Sequence, residues 1–399
     1  EMWHYMNGGQ AEVLNEIIED FNATNDKGIT VNAISQGSIV DLNKKVISAA
    51  QSNSLPAIIN VYPDVATGLI EDKKLVNLSS FINDKNVGMA DEMDDFVDAF
   101  IQETSQWNNG EVYGLPMTKS TEVLYVNKNM LESLGYTLED LEDLTFEKLA
   151  EISNKAVTEL GVAGFGFDSS SNAFISSLKM DGLDFVDSKG TINVDNEWVK
   201  EYMTFFQKQA ESGAFRIAGE DKFLSNPFVN QKMLCYQGSS AGYAYLNNDG
   251  AFEIAVVEVP VFEGKDKAVM QQGASLFVTN NVSAEAQYAA YEFVKFATNA
   301  ENTAKFATAT GYLPVRKSAV ETEIVKNILN DETSLYSQVY NVAQKSLPYA
   351  YYTPAINNAQ SARTVAQEKY EAFMSGSIKD VEVLVDDIVS QVQTSIGRN

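Results

Sequence analysis

Apolar positions in this chain follow two periods that alternate along its first half. Met2 to Met6 is a short strand-like run closed by Asn7-Gly8-Gly9. Ala11, Leu14, Ile17, Ile18 and Phe21 then recur at helical spacing with acids on the opposite face, which predicts an amphipathic helix. Asn25-Asp26-Lys27-Gly28 is a turn, and Ile29 to Ser35 alternates as a strand does. Gly37-Ser38 precedes a second helix near 40–51, and Ala57 to Tyr62 is an apolar strand stopped by Pro63-Asp64. Strands alternating with helices predict an α/β chain with a mainly parallel sheet covered on both faces.

The stretch Tyr113–Lys128 organises the rest. Pro116 has no amide donor and biases Leu115 to an extended conformation. The polar turn Thr118-Lys119-Ser120-Thr121 follows, and Val123 to Val126 is a run of β-formers. Hydroxyls and a cation in the middle of an extended segment suit a chain that crosses between two bodies and meets a ligand there; the alternative is a plain loop before a core strand. Residues 146–160 and 196–212 read as helices, and Ser169-Ser170-Ser171 and Gly238-Ser239-Ser240-Ala241-Gly242 as small polar loops. Ile254–Val259 and Ser275–Thr279 read as strands, with a second crossing near Pro260. Ser283-Ala284-Glu285 opens a helix, residues 301–308 form another that stops at Gly311-Tyr312-Leu313-Pro314, and Leu384, Ile388, Val392 and Ile396 mark a helical tail. There is no internal repeat and no Ser/Gly linker, so two bodies would be joined by short hinges.

Length supports that division, since 399 residues exceed one comfortable core. The 55 Asp and Glu against 29 Lys and Arg give a net charge of −26, which disfavours nucleic acid and anionic lipid as partners. The arginines are Arg216, Arg316, Arg363 and Arg398, so any that reaches a binding site stands out. Cys235 is the single cysteine, a small apolar residue rather than a nucleophile, and no intrachain disulfide can form. No run reaches the length of a membrane span, and the opening Glu1-Met2-Trp3 reads as a mature or trimmed chain.

The chemistry of catalysis is sparse. His4 is the only histidine, so a Ser–His–Asp triad or a histidine metal cluster would have to use it. Phosphate-loop, nucleophile-elbow and dinucleotide signatures are absent. Acid pairs such as Asp386-Asp387 read as solvated surface, and only a glycosidase pair stays open. Hydroxyl-rich loops stand before helices at Ser38, Ser169–Ser171 and Ser239-Ser240, where free amides suit an anion, although each serine could equally be a helix cap. Arg363 lies near the start of an amphipathic helix bearing Val365, Tyr370 and Phe373, and a guanidinium can grip a phosphate with two bonds. Trp3, Tyr62, Tyr243 and Tyr312 fall at element ends, where binding residues gather.

Taken together, Trp3-His4-Tyr5-Met6-Asn7-Gly8, Leu55-Pro56-Ala57-Ile58, Leu115–Lys128, Gly273-Ala274-Ser275-Leu276, Gly311-Tyr312-Leu313-Pro314 and the Arg363 helix ending at Gly376 carry a resemblance. The chain resembles the extracellular solute-binding proteins of ABC importers, the family that includes maltose- and other sugar-binding proteins, and within it the glycerol-phosphate branch. The resemblance implies a type II periplasmic-binding-protein-like fold: two discontinuous lobes, a ligand cleft, hinge closure and three crossings near Pro116, Pro260 and Pro314. Lobe 1 would comprise 1–116 and 261–314, and lobe 2 would comprise 117–260 and 315–399. The branch's ligand contacts map onto Ser120, Ser239 or Ser240, Gly273, Tyr312 and Arg363, with Trp3, His4, Tyr62 and Lys119 as further candidates. Several positions depart from the branch. Ile39 stands for a tyrosine, Val61-Tyr62-Pro63 with Asp64 one residue late stands for Val-Tyr-Glu, and Asp168 and Ser171 stand for two tryptophans.

The implied ligand is therefore glycerol-3-phosphate, a glycerophosphodiester or another phosphate ester, with a mono- or oligosaccharide as the alternative. The resemblance implies no catalytic residue, no metal and no cofactor. It implies a monomer outside the cytoplasm, periplasmic or a cell-surface lipoprotein, that hands its solute to membrane permease subunits. A secreted glycosidase and a sensory receptor are the rivals.

Overall fold

Twelve strands order the chain in the computed structural model, which describes residues 1–397: β1 (Met2–His4), β2 (Ala33–Ser35), β3 (Ile58–Val61), β4 (Gly114–Ser120), β5 (Glu122–Asn127), β6 (Phe165–Phe167), β7 (Phe215–Ile217), β8 (Cys235–Ser239), β9 (Ile254–Val257), β10 (Val269–Met270), β11 (Gln272–Val278) and β12 (Ala350–Tyr351). Arg398 lies outside the described residues. The chain divides into two units. Unit 1 is Glu1–Ser120, Gln272–Asp331 and Ala355–Asn357; unit 2 is Thr121–Gln271, Glu332–Pro354 and Asn358–Asn399.

Unit 1 holds a sheet in the order β2-β1-β3-β11-β4. β1 is parallel to β2 and β3, whereas β11 is antiparallel to β3 and β4. The helix Gly9–Thr24 buries Leu14, Ile17, Ile18 and Phe21, the face expected from its spacing. The helix Ala300–Thr310 ends at Gly311, whose φ of 84° is the left-handed cap a glycine supplies. Trp3 packs with Ile59, Val61 and Phe277 in the core of this unit.

Unit 2 repeats the pattern with the order β7-β6-β8-β5-β9; β6 is parallel to β7 and β8, and β5 is antiparallel to β8 and β9. Its core is aromatic. Phe146 lies 5.2 Å from Phe206 and 4.5 Å from Phe262, with Phe165 and Phe167 alongside. Thr145 caps the helix Phe146–Leu160 at one end and Gly161, at φ 68°, closes the other.

The sheets are mixed, not mainly parallel. A parallel neighbour needs a returning crossover of about a dozen residues or more within its own unit. β5 and β11 follow almost directly on the unit boundaries at Ser120 and Gln271, with no such crossover before them, and each runs against both its neighbours. The boundaries also differ from those expected at the prolines. Pro116 lies inside β4, opposite Ser275 where the register shifts, a bulge that tolerates a missing amide. Residues after Pro260 stay in unit 2, because Val261 N donates to Leu144 O and Phe262 fills the aromatic core. Residues after Pro314 stay in unit 1, because Val315 N donates to Thr303 Oγ1 and Arg316 is buried against Glu92.

Candidate functional site

In unit 2 a polar cluster lies where an apolar interior would be expected. Glu122 opens β5 and is almost wholly buried. Its Oε1 accepts from Asn172 Nδ2 at 2.8 Å and its Oε2 from Gln237 Nε2 at 2.9 Å. Asn172 Oδ1 in turn accepts from Arg363 Nη2 at 2.6 Å, and the same nitrogen reaches Ser171 Oγ at 3.5 Å. Four elements converge here: β5, β8, the helix Ser170–Lys179 and the helix Ala359–Met374. The last buries Ala362, Ala366 and Tyr370, and the small alanines let it lie close to its neighbour.

Asp168, just before that serine-rich turn, accepts the Leu224 amide on Oδ1. Burial pushes its carboxyl up to about 6, partly offset by the Leu224 bond. Burial also raises Glu122, against the two amide donors and the Arg363 charge, which lower it. Tyr351 Oη bonds Ser176 Oγ at 2.9 Å and feels both Glu122 and Arg363. The Ser239–Tyr245 turn borders the cluster, with Tyr125 Oη donating to Ser239 O at 2.8 Å. Ser239 is half-buried. Ser240 is fully buried, and its Oγ accepts from Thr121 N at 3.2 Å.

In unit 1 the expected residues gather around β4. Thr118 Oγ1 takes the Ala274 amide at 3.0 Å and gives its proton to Ala274 O at 3.3 Å. The Tyr5 hydroxyl, 3.0 Å away, therefore donates to Thr118, and Tyr312 Oη lies 3.5 Å from Tyr5 Oη. Tyr62 also acts on Tyr5, whose phenol burial holds well above its ordinary value. Gly273 has a φ of 114°, and a Cβ there would lie 1.6 Å from Thr118 O. Ser120 ends β4, paired with Gln272 and almost fully buried.

Lys119 departs from its expected role as a ligand cation. It is fully buried; its ammonium pairs with Glu103 and donates to Gly273 O at 3.0 Å. Trp3 belongs to the core, with Lys45 Nζ 4.6 Å from its ring. His4 is buried and neutral: its Nδ1 accepts from Met6 N at 3.1 Å, and burial lowers its pKa. Asp64 sits in the first turn of the helix Pro63–Glu71, which Tyr62 precedes. Arg316 pairs with Glu92 and Asp95, and Arg216 pairs with Asp221, so both serve structure. Among the described residues no group of His, Cys, Asp and Glu could hold a metal ion, and no helix is long and apolar enough to cross a membrane.

Sequence reasoning missed Glu122, Asn172, Gln237 and Tyr351 in unit 2, and Tyr5 and Thr118 as a bonded pair in unit 1. Glu122 carried a signal: it is a lone acid at the head of the valine-rich run that follows the Ser120-Thr121 turn. The amides carried none, since each matters only through a partner at least fifty residues distant.

Residues 16–331 match the family model of bacterial extracellular solute-binding proteins. Over its whole length the chain is 22% identical to the sn-glycerol-3-phosphate-binding periplasmic protein UgpB of Rhizobium meliloti, covering 93% of that protein. It shares the fold of UgpB from Mycobacterium tuberculosis, solved in complex with glycerophosphocholine, with a TM-score of 0.83 at 20% identity over 100% of this chain and 98% of that one. It is likewise similar to the cyclic α-maltosyl-1,6-maltose binding protein from Arthrobacter globiformis, with a TM-score of 0.80 at 18% identity and the same coverage.

Proposed function

We propose, for a chain that belongs to the family of bacterial extracellular solute-binding proteins, that it captures a small phosphate ester and delivers it to the permease of an ABC importer. One observation carries the ligand class. Arg363 is the one described arginine not tied directly to a carboxylate: its Nη2 bonds neutral groups, Asn172 and Ser171, beside the other polar side chains of unit 2. A guanidinium so placed can grip a phosphate oxygen. The relatives named for sn-glycerol-3-phosphate and solved with glycerophosphocholine support this reading. We propose that Ser120, the Gly273 amide, Tyr312, Ser239, Ser171 and Asp168 contribute to recognition of the solute. A protein of this kind works outside the cytoplasm as a monomer, anchored by lipid or free in a periplasm.

A second reading is a neutral sugar. Two carboxylates, Glu122 and Asp168, accompany Arg363 in unit 2, and hydroxyl-bearing rings (Tyr5, Tyr62, Tyr312) gather in unit 1. Calorimetric titration with glycerol-3-phosphate, glycerophosphocholine and maltotriose tests both. Binding of a phosphate ester is expected, and Arg363→Ala should weaken it at least about tenfold, the loss of one charge-assisted hydrogen bond. Binding of maltotriose alone, indifferent to Arg363→Ala, would replace the first reading with the second.

A further inference from the structure

Glu122 is chemically out of place. It is an acid at the head of a buried strand, 2% exposed, in a cluster whose cation among the described residues is Arg363. Both of its oxygens accept a hydrogen bond from a side-chain amide, Asn172 on one and Gln237 on the other. Those bonds dictate how the amides face. Asn172 gives its NH2 to Glu122 and so must turn its oxygen to Arg363. Gln237 gives its NH2 to Glu122 and so is left with Oε1 buried and without a donor among the described residues. A buried acceptor left open asks for a hydroxyl or N–H from outside the chain.

Through Asn172 the carboxylate also offsets the guanidinium that a bound anion would use. Asp168 adds a second acid to the same neighbourhood, while Lys179, the nearest lysine on the adjoining helix, is paired with Asp184. We infer that Glu122 is a specificity-determining residue: by offsetting Arg363 and fixing the amides of Asn172 and Gln237, it makes the protein prefer a neutral or singly charged polyhydroxyl solute to a dianionic phosphate monoester. This rests on the solute-binding reading above and narrows its ligand class. A phosphodiester or a sugar satisfies it; glycerol-3-phosphate carries one charge too many.

The test compares wild type, Glu122→Gln, Glu122→Asp and the double variant Glu122→Gln/Arg363→Ala. Each is titrated calorimetrically with inorganic phosphate, glycerol-3-phosphate, glycerophosphocholine and maltotriose. The expected result is that wild type favours the diester or the sugar, and that Glu122→Gln moves the affinity ratio at least about tenfold toward glycerol-3-phosphate and gains binding of inorganic phosphate. Glu122→Asp, which keeps the charge, should keep the wild-type ratio, and the double variant should lose the phosphate gain. A ratio unmoved by Glu122→Gln overturns the inference and leaves the functional reading standing, as does a wild type that favours glycerol-3-phosphate. If wild type binds none of the three organic solutes, the functional reading falls. The phosphate series then decides the inference, which is overturned if Glu122→Gln binds phosphate no better than wild type.

Discussion

At the scale of single residues, the informative ones are those held at an energetic cost. Asp168 is the clearest. Its carboxyl is raised from 3.8 to about 6 by burial, so the folded protein holds the proton more tightly than the unfolded chain does. The stability this contributes is complete below about pH 3.8 and is lost as pH rises through about 6. At about 1.4 kcal/mol per unit, the ionised acid costs about 3 kcal/mol at neutral pH. Asp168→Asn keeps an acceptor for the Leu224 amide and removes the charge. It is expected to unfold at higher denaturant concentration than wild type at pH 7.5 and at an equal one at pH 4. A variant no more stable at pH 7.5 would show that the site tolerates the charge. Lys119 and Glu103 show the opposite economy: a buried ion pair whose members satisfy each other and the Gly273 carbonyl.

At the scale of elements, β4 and β11 carry the candidate site of unit 1, and Gly273 is the point where they meet most closely. Its φ of 114° and the 1.6 Å approach to Thr118 O leave no place for a side chain. Gly273→Ala is expected to lose at least about 2 kcal/mol of stability, read by urea denaturation, from a left-handed backbone and a displaced strand. Elements whose character is written locally were legible in the sequence. The helix Gly9–Thr24 buries Leu14, Ile17, Ile18 and Phe21, four of the five residues its spacing marked, and Gly311 ends the helix Ala300–Thr310 as its Gly-Tyr-Leu-Pro suffix implied. What depends on distant partners was not legible. Ser169–Ser171 read as a loop because serines favour turns and caps, yet Ser169 caps a helix in which Ser170 to Leu178 are all buried. The direction of β11 is set by β3, more than 200 residues earlier, and no local pattern records it. The candidate site divides the same way. Arg363 and the hydroxyl-rich loops could be picked out by composition and spacing, whereas the Glu122–Asn172–Gln237 cluster exists only once β5, β8 and the helix Ser170–Lys179 are packed.

At the scale of the whole molecule, each unit is assembled from separate stretches of chain. Its charge of −26 favours solubility and, with screening over about 8 Å at physiological salt, leaves the choice of ligand to local groups. A polypeptide ending at Gln271 would hold β1 to β10 but lack β11, and β4 would lose the neighbour that joins it to its sheet. It would also lack the helix Ala359–Met374 that packs on Ser170–Lys179. Such a polypeptide is expected to show neither cooperative melting nor dispersed methyl resonances, and a sharp melt would mean that one unit folds from its first stretches alone. The fourth strand of the first sheet therefore has a meaning for biosynthesis. The first unit to begin emerging from the ribosome waits for a strand made some 150 residues later, so the nascent chain stays open for much of its synthesis. Interleaving the two units builds that delay into the order of the chain.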